Sequence, residues 1–308
     1  MNISITICEM NQPALLNIGL MAARKGAVEL EFAVKKLHKL KVEKKGSTDY
    51  VTEVDRRVEQ IIFEDIKSYY PEHNFLGEES GEEINNSNVT WILDPIDGTT
   101  NFINGFPHYC ISLCASVDGV PTHGVIIDPT RREEFSASKG KGAQLNGERI
   151  RVSDQKNLTD ALLSCSSRST PEQNYKYNLL GTFMELYKNE ITIRRTGCSA
   201  LDLAYIAAGR LDGFWGNGLK PWDVAAGIVT GGAIGGIRDS ININDHKLTT
   251  GAKIIHTSDD PIGLENNKLV DAISNPEINI ALITPDLIAN NPPRRVKMTV
   301  VIHPSPFE

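Results

Sequence analysis

The segment Asp94-Pro-Ile-Asp-Gly-Thr-Thr100 carries two carboxylates three residues apart, directly after the apolar run Trp91-Ile-Leu93. A carboxylate that ends a buried strand loses hydration, which is unfavourable unless a cation or hydrogen bonds satisfy it. The spacing therefore predicts a metal site formed by Asp94 and Asp97. An Asp-Gly turn with a capping aspartate is the ordinary alternative for a single Asp-Gly pair, but it does not account for the whole string from Trp91 to Asn101.

The residues around these two aspartates predict further ligands. Pro95 has no backbone N–H, so the carbonyls near it, including that of Ile96, can face the site as oxygen ligands. Gly98, Thr99 and Thr100 predict the start of a helix whose first amides can receive a phosphate. One short segment thus predicts both metal binding and anion binding.

Two other acidic positions are candidate ligands from separate regions of the chain. Glu78 and Glu79 follow a short apolar run, where a solvated acidic turn is the ordinary alternative. Asp223 precedes Val-Ala-Ala, where a helix N-cap is the alternative. Carboxylates without a histidine or cysteine cluster favour a hard cation, magnesium or manganese, over zinc. Because the acidic site alone would repel a phosphate, the charges also predict that metal accompanies the substrate.

Two helices are expected to precede this segment. Apolar residues recur at helical spacing from Pro13 to about Leu40, and again from Thr52 to Tyr70, where Pro71 ends the pattern. We expect two antiparallel helices that pack on the sheet formed by the β-prone runs that follow them. Asp55 lies at the start of the second helix and is expected to cap it.

The remaining elements change character along the chain. Between Asn74 and Gln144, short β-prone runs separated by Gly, Pro and Asp predict an antiparallel, meander-like sheet. After Arg151, strands and helices alternate, which predicts an α/β half. The predicted strands are Phe75–Leu76, Val89–Leu93, Tyr109–Val117, Gly124–Ile127, Glu134–Ser138, Ala161–Ser164, Ile191–Arg195 and Gly213–Trp215. The predicted helices of the second half are Pro171–Tyr187, Ser199–Ala208 and Trp222–Ala233.

Length and composition allow one large domain or two packed subdomains, since 308 residues with 40% hydrophobic side chains can bury a full core. We place the subdomains at residues 1–153 and 154–285, followed by a tail of unassigned role at 286–308. A net charge of -7 disfavours a nucleic-acid binder, and without a long apolar run we expect a cytoplasmic protein with no membrane contact. The five scattered cysteines are expected to be reduced and mostly buried.

These motifs resemble the inositol monophosphatase family, a group of magnesium-dependent, lithium-sensitive phosphatases. The sequence as a whole looks most like the bacterial members of that family. The matching stretches extend from about Leu15 to Ala272, and the most specific are Gly77–Ser80 and Trp91–Phe102. The resemblance implies an α+β fold with α-β-α-β-α layers, a site between the two halves and a homodimer. It also implies the hydrolysis of phosphate monoesters, with myo-inositol monophosphate as the first candidate.

The family also implies the roles of individual residues. Glu78, Asp94 and the Ile96 carbonyl would hold one magnesium, while Asp94, Asp97 and Asp223 would hold a second. Glu78 would reach a third, which gives about two to three ions, with manganese as a substitute. A metal-activated water would be oriented by Glu78 and Thr99, which Asp55 would support. The amides of Gly98 and Thr99 would donate hydrogen bonds to the phosphate.

The identity of the substrate alcohol is left open by one departure from the family. The ring would contact Asp97 and the segment Gly197, Cys198 and Ser199, but the family's further acidic residue is replaced here by Gly216. Fructose 1,6-bisphosphate, a nucleotide 2′- or 3′-phosphate such as 3′-phosphoadenosine, and NADP are therefore alternative substrates. A regulatory role in the transcription and RNA-processing machinery is an alternative of another class.

Overall fold

A computed structural model describes residues 13–39, 42–44, 50–155, 160–167, 179–232 and 278–283. Among these residues, every helix is too short or too polar to cross a membrane. Outside the described ranges lie the Cys8 position, residues 171–178 of the helix predicted at Pro171–Tyr187, and the tail at 286–308.

Two N-terminal helices form for the reasons that their apolar spacing suggests. Helix α1 spans Ala14–Val34 and buries Leu16, Leu20 and Leu30, while helix α2 spans Glu53–Tyr69. The first helix ends earlier than predicted: Lys35 and Lys36 form a turn, and a short 3-10 helix follows at Leu37–Lys39.

Eight strands of the described chain form the larger sheet, in the order β10-β9-β8-β7-β6-β5-β3-β4. A separate antiparallel pair, β1 and β2, precedes α2. The bounds are β1 Val42–Lys44, β2 Tyr50–Thr52, β3 Asn74–Gly77, β4 Gly81–Glu83, β5 Val89–Asp97, β6 Cys110–Val117, β7 Val120–Asp128, β8 Glu133–Ser138, β9 Gly142–Leu145 and β10 Glu148–Arg149. A short helix, α3, spans Thr99–Ile103 and begins at the predicted place.

The larger sheet is the predicted antiparallel, meander-like sheet with one exception. Strands β3 and β5 pair in parallel, with Gly77 opposite Leu93. The intervening strand β4 folds back on the outer side of β3, so β3 and β5 become neighbours running in the same direction. The result brings the carboxyl ends of two strands together beside Asp94.

The second half of the chain forms the smaller sheet, in the order β12-β11-β13-β14. Strand β11 is parallel to both β12 and β13, as expected for an α/β arrangement, while β14, which was not predicted, pairs antiparallel with β13. The bounds are β11 Leu162–Ser167, α4 Leu179–Lys188, β12 Thr192–Arg194, α5 Ser199–Ala207, β13 Gly213–Leu219, α6 Pro221–Gly232 and β14 Ile278–Ile283.

Apolar contacts stack these elements in five layers. Side chains of α1 and α2 share a core with one face of the larger sheet, through Trp91 and Leu93, and its other face packs through Ile92 on α5 and α6. Those helices share a third core with Phe214 of β13, and α4 covers the far side of the smaller sheet. This order confirms the predicted α-β-α-β-α fold, while the subdomain boundary near residue 153 stays a prediction.

Candidate metal centre

Strand β5 places Asp94 and Asp97 at the interface between the larger sheet and α6. Side chains alternate along a strand, so Asp94 faces the same side as Ile92, toward α5 and α6. The pairing with β6 becomes irregular between Asp94 and Asp97, where Pro95 cannot donate a ladder hydrogen bond. Both carboxylates are buried.

Each of these two carboxylates is oriented by a backbone amide. The Ile96 amide donates to Asp94 Oδ1 at 3.0 Å, and the Ala200 amide at the start of α5 donates to Asp97 Oδ2 at 2.6 Å. Hydrogen bonds of this kind hold buried carboxylates in one orientation. The site therefore joins the two halves of the chain through Asp97.

Asp223 reaches the same place from the first turn of α6. Because α6 begins at Pro221, Asp223 is not the N-cap but the third helical residue, and its Oδ2 accepts a 2.7 Å hydrogen bond from the Lys220 amide. The Ser112 hydroxyl donates to the Trp222 carbonyl at 3.0 Å, and Ser112 pairs with Asp94 in the β5–β6 ladder. The start of α6 is thus fixed to the strand beside Asp94.

Carboxylate oxygens of Asp94, Asp97 and Asp223 lie within 4.8 Å of one another, and all three side chains are buried. Three anions this close repel one another strongly in a poorly solvated environment. A divalent cation bound by hard oxygen ligands would offset that repulsion. The donor set therefore fits magnesium or manganese.

The other predicted metal ligands lie beside this group. Glu78 follows β3, and its amide donates to the Leu93 carbonyl at 3.2 Å, which places its backbone next to Asp94; its carboxylate is not one of the three that converge. The Ile96 carbonyl accepts a 3.0 Å hydrogen bond from the Thr99 hydroxyl. A carbonyl oxygen has two lone pairs, so this bond leaves Ile96 able to ligate a metal.

Asp55 caps α2, as predicted. Its Oδ2 accepts hydrogen bonds from the Thr52 amide at 2.8 Å and the Thr52 hydroxyl at 2.6 Å, and the Thr52 hydroxyl accepts one from the Val54 amide. Burial raises the pKa of Asp55 to about 6, and the bonds from Thr52 oppose part of that rise. With Thr99 bonded to Ile96, the structure does not join Asp55 and Thr99 by a hydrogen bond.

The predicted ring-binding segment lies against Asp97. Cys198 precedes α5, and its thiol lies 3.3 Å from both the backbone oxygen and Oδ2 of Asp97 and 3.5 Å from the Cys110 sulfur. Burial raises the pKa of Cys198 well above its ordinary value, so the protonated thiol is a hydrogen-bond donor to Asp97. Gly197 adopts φ 83°, and Ser199 begins the helix.

Gly98 joins the strand to the phosphate-binding turn predicted at α3. It has φ 92°, a conformation that favours glycine, and a Cβ there would lie 3.0 Å from the His108 carbonyl oxygen. Its Cβ position also lies 3.3 Å from Cys198 Cβ, so Gly98 and the Cys198 segment are neighbours.

Sequence reasoning missed two residues that hold these segments in place. The Asn101 side chain donates to the carbonyls of His108 and Thr196 at 2.7 and 2.8 Å, which ties α3 to the chain before Gly197.

Glu59 is a buried carboxylate on α2, four residues after Asp55. The signal for Glu59 was its place on the buried face of α2, where a charged residue requires partners.

Gly216 lies in a confined part of β13. A Cβ at this position would meet Leu219 Cδ1 at 2.9 Å and the Ser166 carbonyl oxygen at 3.0 Å. The pairing with β14 is irregular between Gly216 and Leu219. An acidic side chain at 216 would therefore require its neighbours to move.

Comparisons with known proteins agree with the fold. The sequence model of the inositol monophosphatase family matches residues 12–267. A Pseudomonas aeruginosa protein named Nus factor SuhB is 43% identical over 227 residues, which covers 72% of this chain and 84% of that relative.

Two solved structures share this architecture. The extragenic suppressor protein suhB from Bartonella henselae is 36% identical, with a TM-score of 0.69 over 85% of this chain and 98% of that one. The inositol monophosphatase from Anabaena is 35% identical, with a TM-score of 0.62 over 72% of this chain and 81% of that one. This chain belongs to the inositol monophosphatase family.

Proposed function

We propose that this protein is a magnesium-dependent phosphatase that hydrolyses small phosphate monoesters, with myo-inositol monophosphate as the first candidate substrate. The observation that carries the proposal is the convergence of Asp94, Asp97 and Asp223 within 4.8 Å in a buried site. Membership of the inositol monophosphatase family supports the same activity.

Different residues of the chain would bind the metal, orient the attacking water and bind the phosphate. Asp94, Asp97 and Asp223 would hold magnesium, with Glu78 and the Ile96 carbonyl as further ligands. When bound, magnesium lowers the pKa of water and offsets charge on the phosphate. The Thr99 hydroxyl would orient the attacking water beside Glu78, and the amides of Gly98 and Thr99 would receive phosphate oxygens. Asp55 would support this side of the site from α2.

Substrate selection would depend on the wall formed by Gly197, Cys198 and Ser199 and by Asp97. Without a carboxylate at Gly216, the ring has one hydroxyl acceptor fewer than the family pattern implies. We therefore include fructose 1,6-bisphosphate, nucleotide 2′- and 3′-phosphates and NADP as competing substrates. On family grounds we also propose lithium inhibition and a homodimer.

The direct test is phosphate release from this panel of monoesters, with magnesium, with manganese, and with excess chelator. We expect metal-dependent turnover that Asp94→Asn abolishes without loss of the fold. Asp118→Asn is the matched control: Asp118 lies at φ 51° on the turn that follows β6, a conformation that asparagine accepts equally well. Turnover that persists in excess chelator would refute the metal mechanism.

A second function is favoured by the relative from Pseudomonas aeruginosa, which is named a Nus factor. We propose that this chain also contacts the bacterial transcription machinery. The test is co-elution of the purified protein with bacterial transcription elongation complexes. Co-elution of Asp94→Asn would separate this role from catalysis, whereas absence of the complex for both proteins would reject it.

A further inference from the structure

The turn that carries Glu78 is held from two sides. It joins Gly77 at the end of β3 to Gly81 at the start of β4. On one side, the Glu78 amide donates to the Leu93 carbonyl at 3.2 Å, one residue before Asp94. This contact sets the turn beside the carboxylate cluster, but it fixes only one point of the turn.

Glu59 of α2 holds the other side. Its Oε2 accepts a hydrogen bond from the Glu79 amide at 3.1 Å, and its Oε1 accepts one from the Ser80 amide at 2.7 Å. Both oxygens of one side chain thus bind two consecutive amides of the turn. Glu59 is 3% exposed, so these bonds form in a poorly solvated place.

Gly77 brings the turn into close contact with this carboxylate. A Cβ at Gly77 would lie 2.3 Å from Glu59 Oε2 and 2.5 Å from its carboxyl carbon. No side chain can occupy that position unless Glu59 moves. The backbone of Gly77, Glu79 and Ser80 therefore packs against the Glu59 carboxylate, and Glu78 lies within that segment.

We propose that Glu59 is the positioning residue for Glu78, and that its contacts with the 77–80 turn set the metal affinity of the site. The proposal rests on the proposed function in one respect, the assignment of Glu78 as a metal ligand. Glu59 itself would not ligate the metal or contact the substrate, because both of its carboxylate oxygens bind amides of the turn. It acts by keeping the Glu78 backbone in the place from which the side chain can reach an ion bound at Asp94, and outer-shell partners of this kind commonly change metal affinity by about 10- to 100-fold.

The test uses Glu59→Gln in the full chain, after removal of metal with chelator. Glutamine keeps one acceptor oxygen but places an NH2 donor against the second amide, so one of the two hydrogen bonds is lost. We expect calorimetric titration with Mn²⁺ to show affinity weakened at least about tenfold. In phosphate release, the half-saturating metal concentration should rise by the same factor.

Glu64→Gln is the matched control, because Glu64 lies on the exposed side of the same helix and bonds only to Gln60 among its described partners. It should bind Mn²⁺ as the wild type does. A Glu59→Gln protein that unfolds at a lower temperature but keeps wild-type Mn²⁺ affinity would overturn the proposal, since Glu59 would then support only the fold.

Gly77→Ala gives an independent route if Glu59→Gln does not fold. The added methyl group must displace the Glu59 carboxylate, so we expect the same loss of Mn²⁺ affinity. Combining the two changes should cost less than the sum of the single losses, because both break the same contact. Wild-type affinity in Gly77→Ala would contradict the proposal.

Asp94→Asn distinguishes a failure of the role proposed for Glu59 from a failure of the metal site itself. If it weakens Mn²⁺ binding while Glu59→Gln does not, the metal site stands and the role of Glu59 is rejected. If neither variant alters Mn²⁺ binding, the metal site itself is rejected. Both outcomes are read without any substrate.

Discussion

Asp97 and Ala200 are joined by a 2.6 Å hydrogen bond between residues 103 positions apart in sequence. Asp97 ends the strand that carries the predicted metal ligands, and Ala200 lies in the first turn of α5, beside the predicted ring-binding segment. One carboxylate therefore serves the cluster with Asp94 and Asp223 and also holds the second half of the chain against the first.

These two tasks of Asp97 can be separated by Asp97→Asn. The asparagine oxygen can still accept the Ala200 amide, but the negative charge is lost. We expect Mn²⁺ affinity to fall by at least tenfold, with a change of less than about 1 kcal/mol in the free energy of unfolding measured in chelator. Calorimetric titration and urea unfolding give the two values. A large loss of stability with unchanged affinity would mean that Asp97 serves the fold alone.

The titration of Asp55 predicts how stability depends on pH. Burial raises its pKa from 3.8 to about 6 in the folded protein, so protonation favours folding. This contribution is fully present below about pH 4 and is lost as the pH rises through about 6. Relative to Asp55→Asn, the wild type should lose about 2 to 3 kcal/mol between pH 4 and pH 7, from a shift of roughly two pKa units.

Urea unfolding of both proteins in chelator, at several pH values across this window, measures the difference. Subtracting the Asp55→Asn curve removes the titrations that the two proteins share. A difference that stays constant with pH would show that the buried carboxyl titrates normally.

The parts of the site that could be predicted from sequence are those that depend on neighbours along the chain. Asp94, Asp97 and the start of α3 follow from one strand and the turn after it, and Asp55 follows from a capping pattern of four residues, Thr52 to Asp55. Strand alternation likewise indicates which residues of β5 face the core.

The rest depends on contacts between distant segments. The parallel pairing of β3 with β5 could not be inferred from the alternation within β3, because alternation does not specify a partner or its direction. The contacts of Glu59 with Glu79 and Ser80 arise only once that pairing brings the turn over α2. Confinement of Gly216 by Leu219 depends in the same way on an irregular strand pairing.

The four described cysteines are expected to resist thiol reagents. All are buried, and burial raises the pKa of Cys110 and Cys165 to about 11 and the pKa of Cys114 and Cys198 above its ordinary range. The thiolate is the reactive form. A disulfide reagent at pH 8 should therefore label none of these four in the native protein and all four in denaturant.

Cys8 lies outside the described residues, so the labelled thiols should be counted in the Cys8→Ser variant, which contains only the four described cysteines. Rapid labelling of one thiol in native Cys8→Ser protein would identify a site that opens readily. Protection of that thiol by Mn²⁺ would locate it at Cys198 or Cys110, the two that lie near Asp97.

Gly124 allows α6 to approach the larger sheet closely, and α6 carries Asp223. A Cβ at Gly124 would lie 2.7 Å from the Ala226 carbonyl oxygen and 3.1 Å from Val229 Cβ. The nearer contact is with helix backbone, so Gly124→Ala must push α6 away from β7. Overpacking of this kind costs about 1 to 3 kcal/mol. We expect that loss in urea unfolding, together with weaker Mn²⁺ binding, because Asp223 moves with the helix.

Gly19→Ala is the matched control for this prediction. Gly19 lies on α1, at the opposite face of the same sheet, and a Cβ there would lie 3.2 Å from the Trp91 ring. Gly19→Ala should change stability without changing Mn²⁺ affinity. If Gly124→Ala lowers stability and yet binds Mn²⁺ as tightly as the wild type, the Ser112–Trp222 hydrogen bond is sufficient to keep Asp223 in place, and the close packing of α6 on β7 serves the fold rather than the metal.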